Sequence, residues 1–90
     1  MVIIIMENAP VSLRGDLTRW LLEAKAGVFI GNISALVREK LWKKVCEKQY
    51  EGGALLIYNA PNEQGFELKL HGNPHRTVID LEGVQLIKIQ

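Results

Sequence analysis

The sequence predicts an α+β fold in which two helices cover one face of a small, mainly antiparallel sheet. Two observations support this: the spacing of apolar residues changes cleanly from segment to segment, and glycine or proline separates the segments. Of the 90 residues, 48% are hydrophobic and 23% are charged. This composition is typical of globular proteins and excludes a disordered chain. We therefore expect a single domain over residues 1–90.

A first strand and a first helix are predicted before Gly27. Val2–Met6 is continuous and rich in β-branched residues, as a strand buried on both faces would be. Ser12 is the predicted N-cap of the helix that follows, and Gly27 is its predicted end. The apolar face of this helix carries Leu13, Leu17, Trp20, Leu21 and Ala24.

A short strand and a second helix are predicted next. Residues 28–30 are apolar and lie between two glycines, which favours a short strand. Asn32 or Ser34 can cap the helix that follows, and Gly52-Gly53 stops it. The buried face of this helix is expected to carry Ile33, Leu36, Val37, Leu41 and Val45.

Strands dominate the rest of the chain. Ala54–Asn59 is apolar, and residues 66–70 alternate between apolar and polar, as in a half-exposed strand. Asn73-Pro74 opens a loop, and residues 84–89 form the last strand. This order of elements predicts a ferredoxin-like sandwich. We expect the sheet face that the helices leave uncovered to pair with a second copy of the chain, giving a homodimer.

The two tryptophans receive different predictions. Trp20 is in phase with Leu13 and Leu17 and is expected in the core. Trp42 lies off the apolar stripe of its helix and is expected at an interface. Cys46 is expected to pack as a small apolar residue.

Charge and cysteine content exclude several classes of protein. Eleven basic and ten acidic residues give a net charge of +1, so overall charge is no evidence for nucleic-acid binding. Cys46 is the single cysteine; it cannot form an internal disulfide and gives no zinc-type spacing. The apolar run that opens the chain is far shorter than the about 20 residues of a membrane span. We expect a cytoplasmic protein without a membrane anchor.

Glu7 is a candidate metal ligand because it directly follows the first predicted strand. A carboxylate at the rim of a sheet can bind a hard cation such as Mg²⁺ through oxygen. The alternative is a solvated acid paired with Arg14 or Arg19. A single carboxylate makes a poor Mg²⁺ site unless a second chain supplies another one.

Basic residues cluster in three regions that could contact phosphates. The second helix carries five of them, whereas Arg14 and Arg19 flank the start of the first helix and His75-Arg76 lies in the late loop. The five are Arg38, Lys40, Lys43, Lys44 and Lys48. Each cluster alone is more often a solvated surface, but together they predict a protein that binds DNA through its backbone. The near-neutral charge also leaves open an interaction module that binds no nucleic acid.

Ordered motifs along nearly the whole chain resemble those of one family. They are Glu7-Asn8-Ala9-Pro10, Leu13-Arg14-Gly15, Trp20-Leu21-Leu22-Glu23, the segment 26–31, Gly65-Phe66-Glu67, Arg76-Thr77 and Asp80-Leu81-Glu82-Gly83. The chain is thereby similar to CRISPR-associated protein two, the small adaptation subunit, of the type I-E subfamily.

This resemblance implies a function that the residues alone do not give. Members of the subfamily have a ferredoxin-like fold and form a symmetric homodimer between two dimers of the CRISPR integrase. The assembly holds a prespacer DNA duplex and inserts it into the CRISPR array. The small dimer contacts the backbone of the duplex without reading its sequence. Its C-terminal segment, here residues 80–90, docks the integrase.

The resemblance also assigns roles to single residues. Arg14 and Arg76 are expected to bind DNA phosphates, with His75 and Lys40 as weaker contacts. Ser12, Asp16 and His75 stand where relatives often have arginine, which predicts weaker binding of the duplex by this subunit.

Other branches of the family are Mg²⁺-dependent endonucleases that act on RNA or DNA. They carry an aspartate after the first strand, which pairs across the dimer axis around one divalent ion. This chain has Glu7-Asn8 there. Glu7 is therefore the expected catalytic and metal-binding residue if the protein is a nuclease.

Overall fold

Strand β1 (Val2–Met6) lies at the centre of a five-stranded sheet. This computed structural model describes residues 1–48, 52–72, 76–81 and 84–89, and in β6 and β7 it describes only the side chains of Gln85 and Ile87. The other strands of the sheet are β2 (Leu22–Lys25), β3 (Val28–Gly31), β4 (Ala54–Asn59) and β5 (Phe66–His71). Their order is β2-β3-β1-β4-β5, and every pair is antiparallel.

Two helices and a separate hairpin complete the described chain. The helices are α1 (Val11–Thr18) and α2 (Ala35–Lys48), and neither they nor any other described helix is long and apolar enough to cross a membrane. Strands β6 (Arg76–Leu81) and β7 (Val84–Ile89) form a two-stranded antiparallel sheet. The order β1-α1-β2-β3-α2-β4 confirms the predicted α+β fold and is compatible with a ferredoxin-like sandwich.

The core lies between the helices and one face of the sheet. Ile4 is fully buried, and so are its cross-strand neighbours Phe29 and Leu56. The helices cover them with side chains that include Leu13 and Val45, which are also fully buried. Burial of such large aliphatic and aromatic side chains contributes roughly 2 kcal/mol each to folding.

The opposite face of the sheet is apolar but only half-buried, so β1 is not buried on both faces as predicted. We call this surface the open face, and its residues follow from the strand register: Ile3, Ile5, Leu22, Val28, Ile30, Leu55, Ile57, Leu68 and Leu70. Leu22 is 69% exposed and Ile5 is 37% exposed. Only Leu68 in this set is buried.

The first helix ends at Thr18, not at Gly27 as predicted. The backbone N–H groups of Trp20 and Leu21 both bond to the Leu17 carbonyl, which closes the helix with a turn. The following residues then pair with β3 as strand β2, in the register Leu22 to Ile30. Pairing with a neighbouring strand supplies hydrogen bonds and packing that helix periodicity cannot anticipate.

Other predictions about the helices were also wrong in part. Trp20 is 56% exposed because it follows the helix instead of continuing it, whereas Trp42 is 9% exposed and belongs to the core. Leu36 is 65% exposed because it lies in the first turn of α2, and Ser12 is not a cap because α1 begins directly after Pro10. Ser34 does cap α2, since its Oγ accepts the Val37 N–H at 3.2 Å.

The predicted late loop contains strand β6. This strand pairs along its whole length with β7, the last strand, which the sequence did predict. The side chain of Gln85 joins β7 to the edge strand β5, because its Oε1 accepts the Leu68 N–H at 2.8 Å. In return, the Gln85 N–H bonds to Oε1 of Gln64 at 2.6 Å. An edge N–H that would otherwise face solvent is thereby satisfied.

The hairpin between β2 and β3 depends on a glycine. Gly27 has φ +79°, and a Cβ on it would lie 2.3 Å from the carbonyl oxygen of Met6. Real Cβ atoms do not approach backbone oxygen so closely, so any other residue must push the hairpin away from β1. Gly27 therefore terminates a hairpin turn, not a helix.

Replacing Gly27 with alanine should destabilise the protein by about 3 kcal/mol or more, because strain at positive φ adds to a backbone clash. The matched control is Gly65→Ala, since Gly65 has φ +84° and nothing within 4 Å of its Cβ position. That variant should lose only about 1 kcal/mol. Midpoints of urea unfolding measure both changes, and equal losses would show that the close approach to Met6 is unimportant.

Candidate nucleic-acid interface

Glu7 lies at the end of β1 and is held against the start of β4. Its N–H bonds to the Gly53 carbonyl at 3.1 Å. Gly52 has φ +73°, and a Cβ there would lie 2.7 Å from Glu7 Cβ and 3.1 Å from Oε2. The glycine thus leaves room for the Glu7 side chain. We call this region the Glu7 end of the sheet.

Arg14 is tied to the same end of the sheet through the Gly27 hairpin. Its Nη2 lies 3.1 Å from Oε2 of Glu23, and the same oxygen accepts the Gly27 N–H at 3.1 Å. The Gly27 carbonyl in turn accepts the Met6 N–H at 2.8 Å. A continuous set of hydrogen bonds therefore links the guanidinium of Arg14 to the residue that precedes Glu7.

The ion pair with Glu23 both orients Arg14 and reduces its charge. The side chain of Arg14 is 42% exposed and that of Glu23 is 26% exposed. Arg14 Nε is buried and has no hydrogen-bond partner among the described atoms. The exposed part of the side chain can reach a phosphate in solvent while Nη2 stays on Glu23.

Arg76 enters β6 shortly after the chain leaves the Glu7 end of the sheet. His71 pairs with Ala54 there, and a Cβ on Gly72 would lie 3.1 Å from the Gly52 carbonyl oxygen. Four residues span at most about 14 Å, which bounds the distance from Gly72 to Arg76. His75 and the side chain of Arg76 lie outside the described residues, and so do residues 82–83 and 90 of the expected docking segment.

Lys40 lies elsewhere, in a groove between α1 and α2. The groove has a volume of about 360 Å³ and is lined by Arg19, Trp20, Val37, Lys40, Leu41 and Lys44. Helix spacing predicts Trp20 in the core, so the groove does not follow from the sequence pattern. The sequence does contain a signal for such a groove, because a basic residue, Arg19, directly precedes an aromatic one, Trp20.

Several other basic residues of α2 are occupied within the protein. Asp16 on α1 accepts a hydrogen bond from Lys48 Nζ at 2.9 Å and lies 3.8 Å from Lys44 Nζ. The Lys48 hydrogen bond, aided by the charge of Lys44, lowers the pKa of Asp16. Arg38 stacks on the ring of Tyr58, with its Cζ 3.8 Å from the ring centroid. The basic surface of α2 is therefore smaller than a count of its charges indicates.

Tyr58 extends this internal network across the sheet. Its hydroxyl donates a hydrogen bond to Glu67 on the neighbouring strand, and this bond raises the pKa of Tyr58. Lys69 lies 6.0 Å from the Tyr58 centroid and 4.0 Å from Glu39. These contacts around Tyr58 hold α2 against the sheet, so their role is structural.

The chemistry of the donor set limits what metal site one chain can form. Within the described residues, no group of three or more His, Cys, Asp or Glu side chains could hold a metal ion. Glu7 supplies a hard oxygen ligand of the type that Mg²⁺ prefers. A Mg²⁺ site at Glu7 therefore stays a prediction, and it would need ligands from outside the described part of one chain.

One comparison with known proteins covers nearly the whole chain. A family model described as CRISPR-associated protein (Cas_Cas2CT1978) matches residues 1–86. The match includes every motif on which the sequence resemblance was based, from Glu7 to Gly83.

Asp16→Asn should alter how stability depends on pH. The pKa of Asp16 is lowered in the folded protein, so the ionised carboxylate stabilises the fold above its unfolded pKa. That contribution is lost as the pH falls through the folded pKa. We expect the Tm difference between wild type and Asp16→Asn to be largest near pH 7 and to disappear once the pH falls below the lowered pKa of Asp16.

Thermal melts across this range measure the difference, and Lys48→Gln should reproduce most of it because Lys48 is the main cause of the shift. A Tm difference that stays constant over the whole range would contradict the assignment.

Proposed function

This chain belongs to the Cas2 family of CRISPR-associated proteins, and from that premise we propose that it acts in spacer acquisition as a non-catalytic scaffold of the type I-E kind. The proposal is a homodimer that bridges two dimers of the CRISPR integrase and binds a prespacer duplex through its backbone. One observation carries the DNA-binding part: the Glu23–Gly27–Met6 hydrogen bonds hold Arg14 at the Glu7 end of the sheet.

The open face supports the homodimer. It is an apolar sheet surface on which Leu22 is 69% and Ile5 37% exposed. Exposed apolar surface of this kind favours association, and a second copy presents an apolar face of equal size and shape. Symmetric pairing would also double every phosphate contact that one chain makes.

Arg14 supports recognition of the duplex backbone without sequence readout. A guanidinium fixed by one carboxylate presents its remaining donors in a constant direction, which suits a phosphate at a defined position. Contacts of this type position a duplex and carry no sequence information directly. Arg76 is proposed to add a second phosphate contact, with His75 and Lys40 contributing less.

The C-terminal hairpin supports docking of the integrase. Strands β6 and β7 form a sheet of their own, whose described contacts with the main sheet include the Gln85 bonds to Leu68 and Gln64. A two-stranded sheet presents strand edges that can accept a strand from a partner. We assign this role to residues 80–90.

A second candidate function, a Mg²⁺-dependent endonuclease, is favoured by the position of Glu7. Glu7 lines a pocket of about 90 Å³ together with Ile5, Leu55, Leu70 and Ile87. Three of these residues belong to the open face, so a second copy bound there would lie beside the carboxylate. A metal ion held by two such carboxylates could supply an activated water for in-line hydrolysis.

Arg14→Gln should weaken duplex binding equally for all sequences. In the proposed homodimer the substitution removes two phosphate contacts, one from each chain. The slope of log K against log salt should therefore fall by about 1.8, which is about 60-fold in Kd at 0.1 M salt. The control is Lys43→Gln, which removes the same charge from an exposed position on α2. Binding is measured by fluorescence anisotropy with duplexes of unrelated sequence, with and without the integrase. A loss confined to one sequence, or an equal loss in Lys43→Gln, would contradict the backbone contact.

Glu7→Gln separates the two candidate functions. For a scaffold, wild type and variant should give the same background cleavage of duplex DNA, single-stranded DNA and RNA, in Mg²⁺ or in EDTA. Gel assays with purified proteins measure this directly. Metal-dependent cleavage that disappears in Glu7→Gln would establish the nuclease, whereas cleavage that persists in EDTA would indicate a contaminant.

A further inference from the structure

The groove between α1 and α2 combines an exposed tryptophan with three basic side chains. We call it the Trp20 groove. Its volume is about 360 Å³, and it is lined by Arg19, Trp20, Val37, Lys40, Leu41 and Lys44. This volume is within the range of pockets that bind small organic molecules. We propose that the Trp20 groove binds single-stranded nucleic acid, with a base stacked on Trp20 and neighbouring phosphates held by the three cations.

Trp20 has the exposure that base stacking requires. It is 56% exposed, whereas Trp42 is 9% exposed in the core. Val37 and Leu41 add apolar surface beside the indole. Nucleobases stack on such exposed aromatic rings with little preference for sequence, because every base presents a π-face.

The cations of the groove match the phosphates of a single strand. Lys40 and Lys44 lie one helical turn apart, a rise of about 6 Å, which is comparable to the distance between successive phosphates of an extended strand. Asp16 competes weakly for Lys44, since its Oδ1 lies 3.8 Å from that Nζ, but its shorter contact is with Lys48 at 2.9 Å. Arg19 lies next to Trp20 in the chain and can bind a phosphate beside the stacked base.

The donor and acceptor balance favours nucleic acid over a peptide. All polar side chains that line the groove are donors: one guanidinium, two ammonium groups and one indole N–H. A peptide backbone brings an N–H donor with nearly every residue, and these side chains offer it no acceptor. A phosphodiester backbone offers acceptors. A duplex fits less well than a single strand, because its bases are already stacked and paired and cannot lie on Trp20.

This inference goes beyond the proposed scaffold function and does not depend on it. The proposed duplex contact is Arg14 at the Glu7 end of the sheet, whereas the groove is formed by the turn after α1 and the middle of α2. None of its lining residues contacts Glu7 or Arg14 in the described interactions. Variants of the two sites can therefore be tested separately.

The test uses the intrinsic fluorescence of the full chain, titrated with a single-stranded oligothymidine. We expect the oligothymidine to quench tryptophan emission, and we expect no quenching in Trp20→Phe, where only the buried Trp42 remains. A blunt duplex of the same length and poly-glutamate are titrated separately as comparison ligands. Each should quench the tryptophan emission several-fold less than oligothymidine at equal charge concentration.

Anisotropy of a labelled oligothymidine then gives Kd for matched variants at 0.1 M salt. Lys40→Gln should raise Kd about five-fold, because one phosphate contact to a single strand contributes about 0.7 to the salt slope. Trp20→Ala should raise Kd roughly five-fold or more through loss of stacking. Lys43→Gln removes the same charge from the same helix outside the groove and should leave Kd within about two-fold.

Three results would overturn the proposal. Equal effects of Lys40→Gln and Lys43→Gln would mean diffuse attraction without a groove site. If poly-glutamate quenches more strongly than oligothymidine, the groove binds an acidic peptide. If the duplex quenches as strongly as oligothymidine, binding does not need an unstacked base. Arg14→Gln should raise the oligothymidine Kd less than Lys40→Gln does, whereas for the duplex the order should be reversed. Failure here is thereby distinguishable from failure of the duplex-binding proposal.

Discussion

The close approach of the Gly27 turn to the end of β1 determines how the rest of the sheet and its ion pairs are arranged. The Gly27 carbonyl accepts the Met6 N–H at 2.8 Å, and no side chain fits between the two backbones. This contact sets the register of β3 against β1. It also places the Gly27 N–H where Glu23 can bind it and Arg14 at once. A backbone constraint at one glycine therefore fixes the position of a guanidinium that lies outside the sheet.

Because the helices bury only one face of the sheet, the other face is available for association with a second copy of the chain. The helices cover Ile4 and its neighbours completely, but the open face keeps residues such as Leu22 in solvent. Glu7 lies in a pocket that shares Ile5 and Leu55 with this face. Occupation of the open face by a second copy would thus affect both stability and the environment of the candidate metal ligand. Scaffold and nuclease predict different outcomes for the same Glu7 variant because only the nuclease needs this carboxylate to hold a metal ion.

The charges of α2 show why clusters of basic residues in a sequence overstate a binding surface. Lys48 is taken up by Asp16 and Arg38 by the ring of Tyr58, and both partners are distant in the sequence. Lys40 remains exposed, and it lies beside Trp20 in the groove between the helices. Among the described cations, Arg19, Lys40 and Lys44 line that groove, whereas Lys43 is exposed on the same helix outside it. Counting lysines and arginines gives neither position.

The sequence by itself determined the fold class, the family and most strands, because the apolar periodicity and the ordered motifs are local properties of the chain. It also determined Leu13, Leu17 and Val45 as core residues, since buried faces follow from spacing. It left Asn32 and Ser34 as alternative caps of α2, and the structure decided for Ser34. Strand β2 was missed because Leu21 keeps the phase of the helix while its successors pair with β3. Only tertiary structure decided that these residues form a strand and not a helix. It likewise decided the exposure of Trp20, the burial of Trp42 and the ion-pair partner of Arg14. Each of these features depends on which distant segment packs against the residue. The spacing of apolar residues within one segment does not identify that segment.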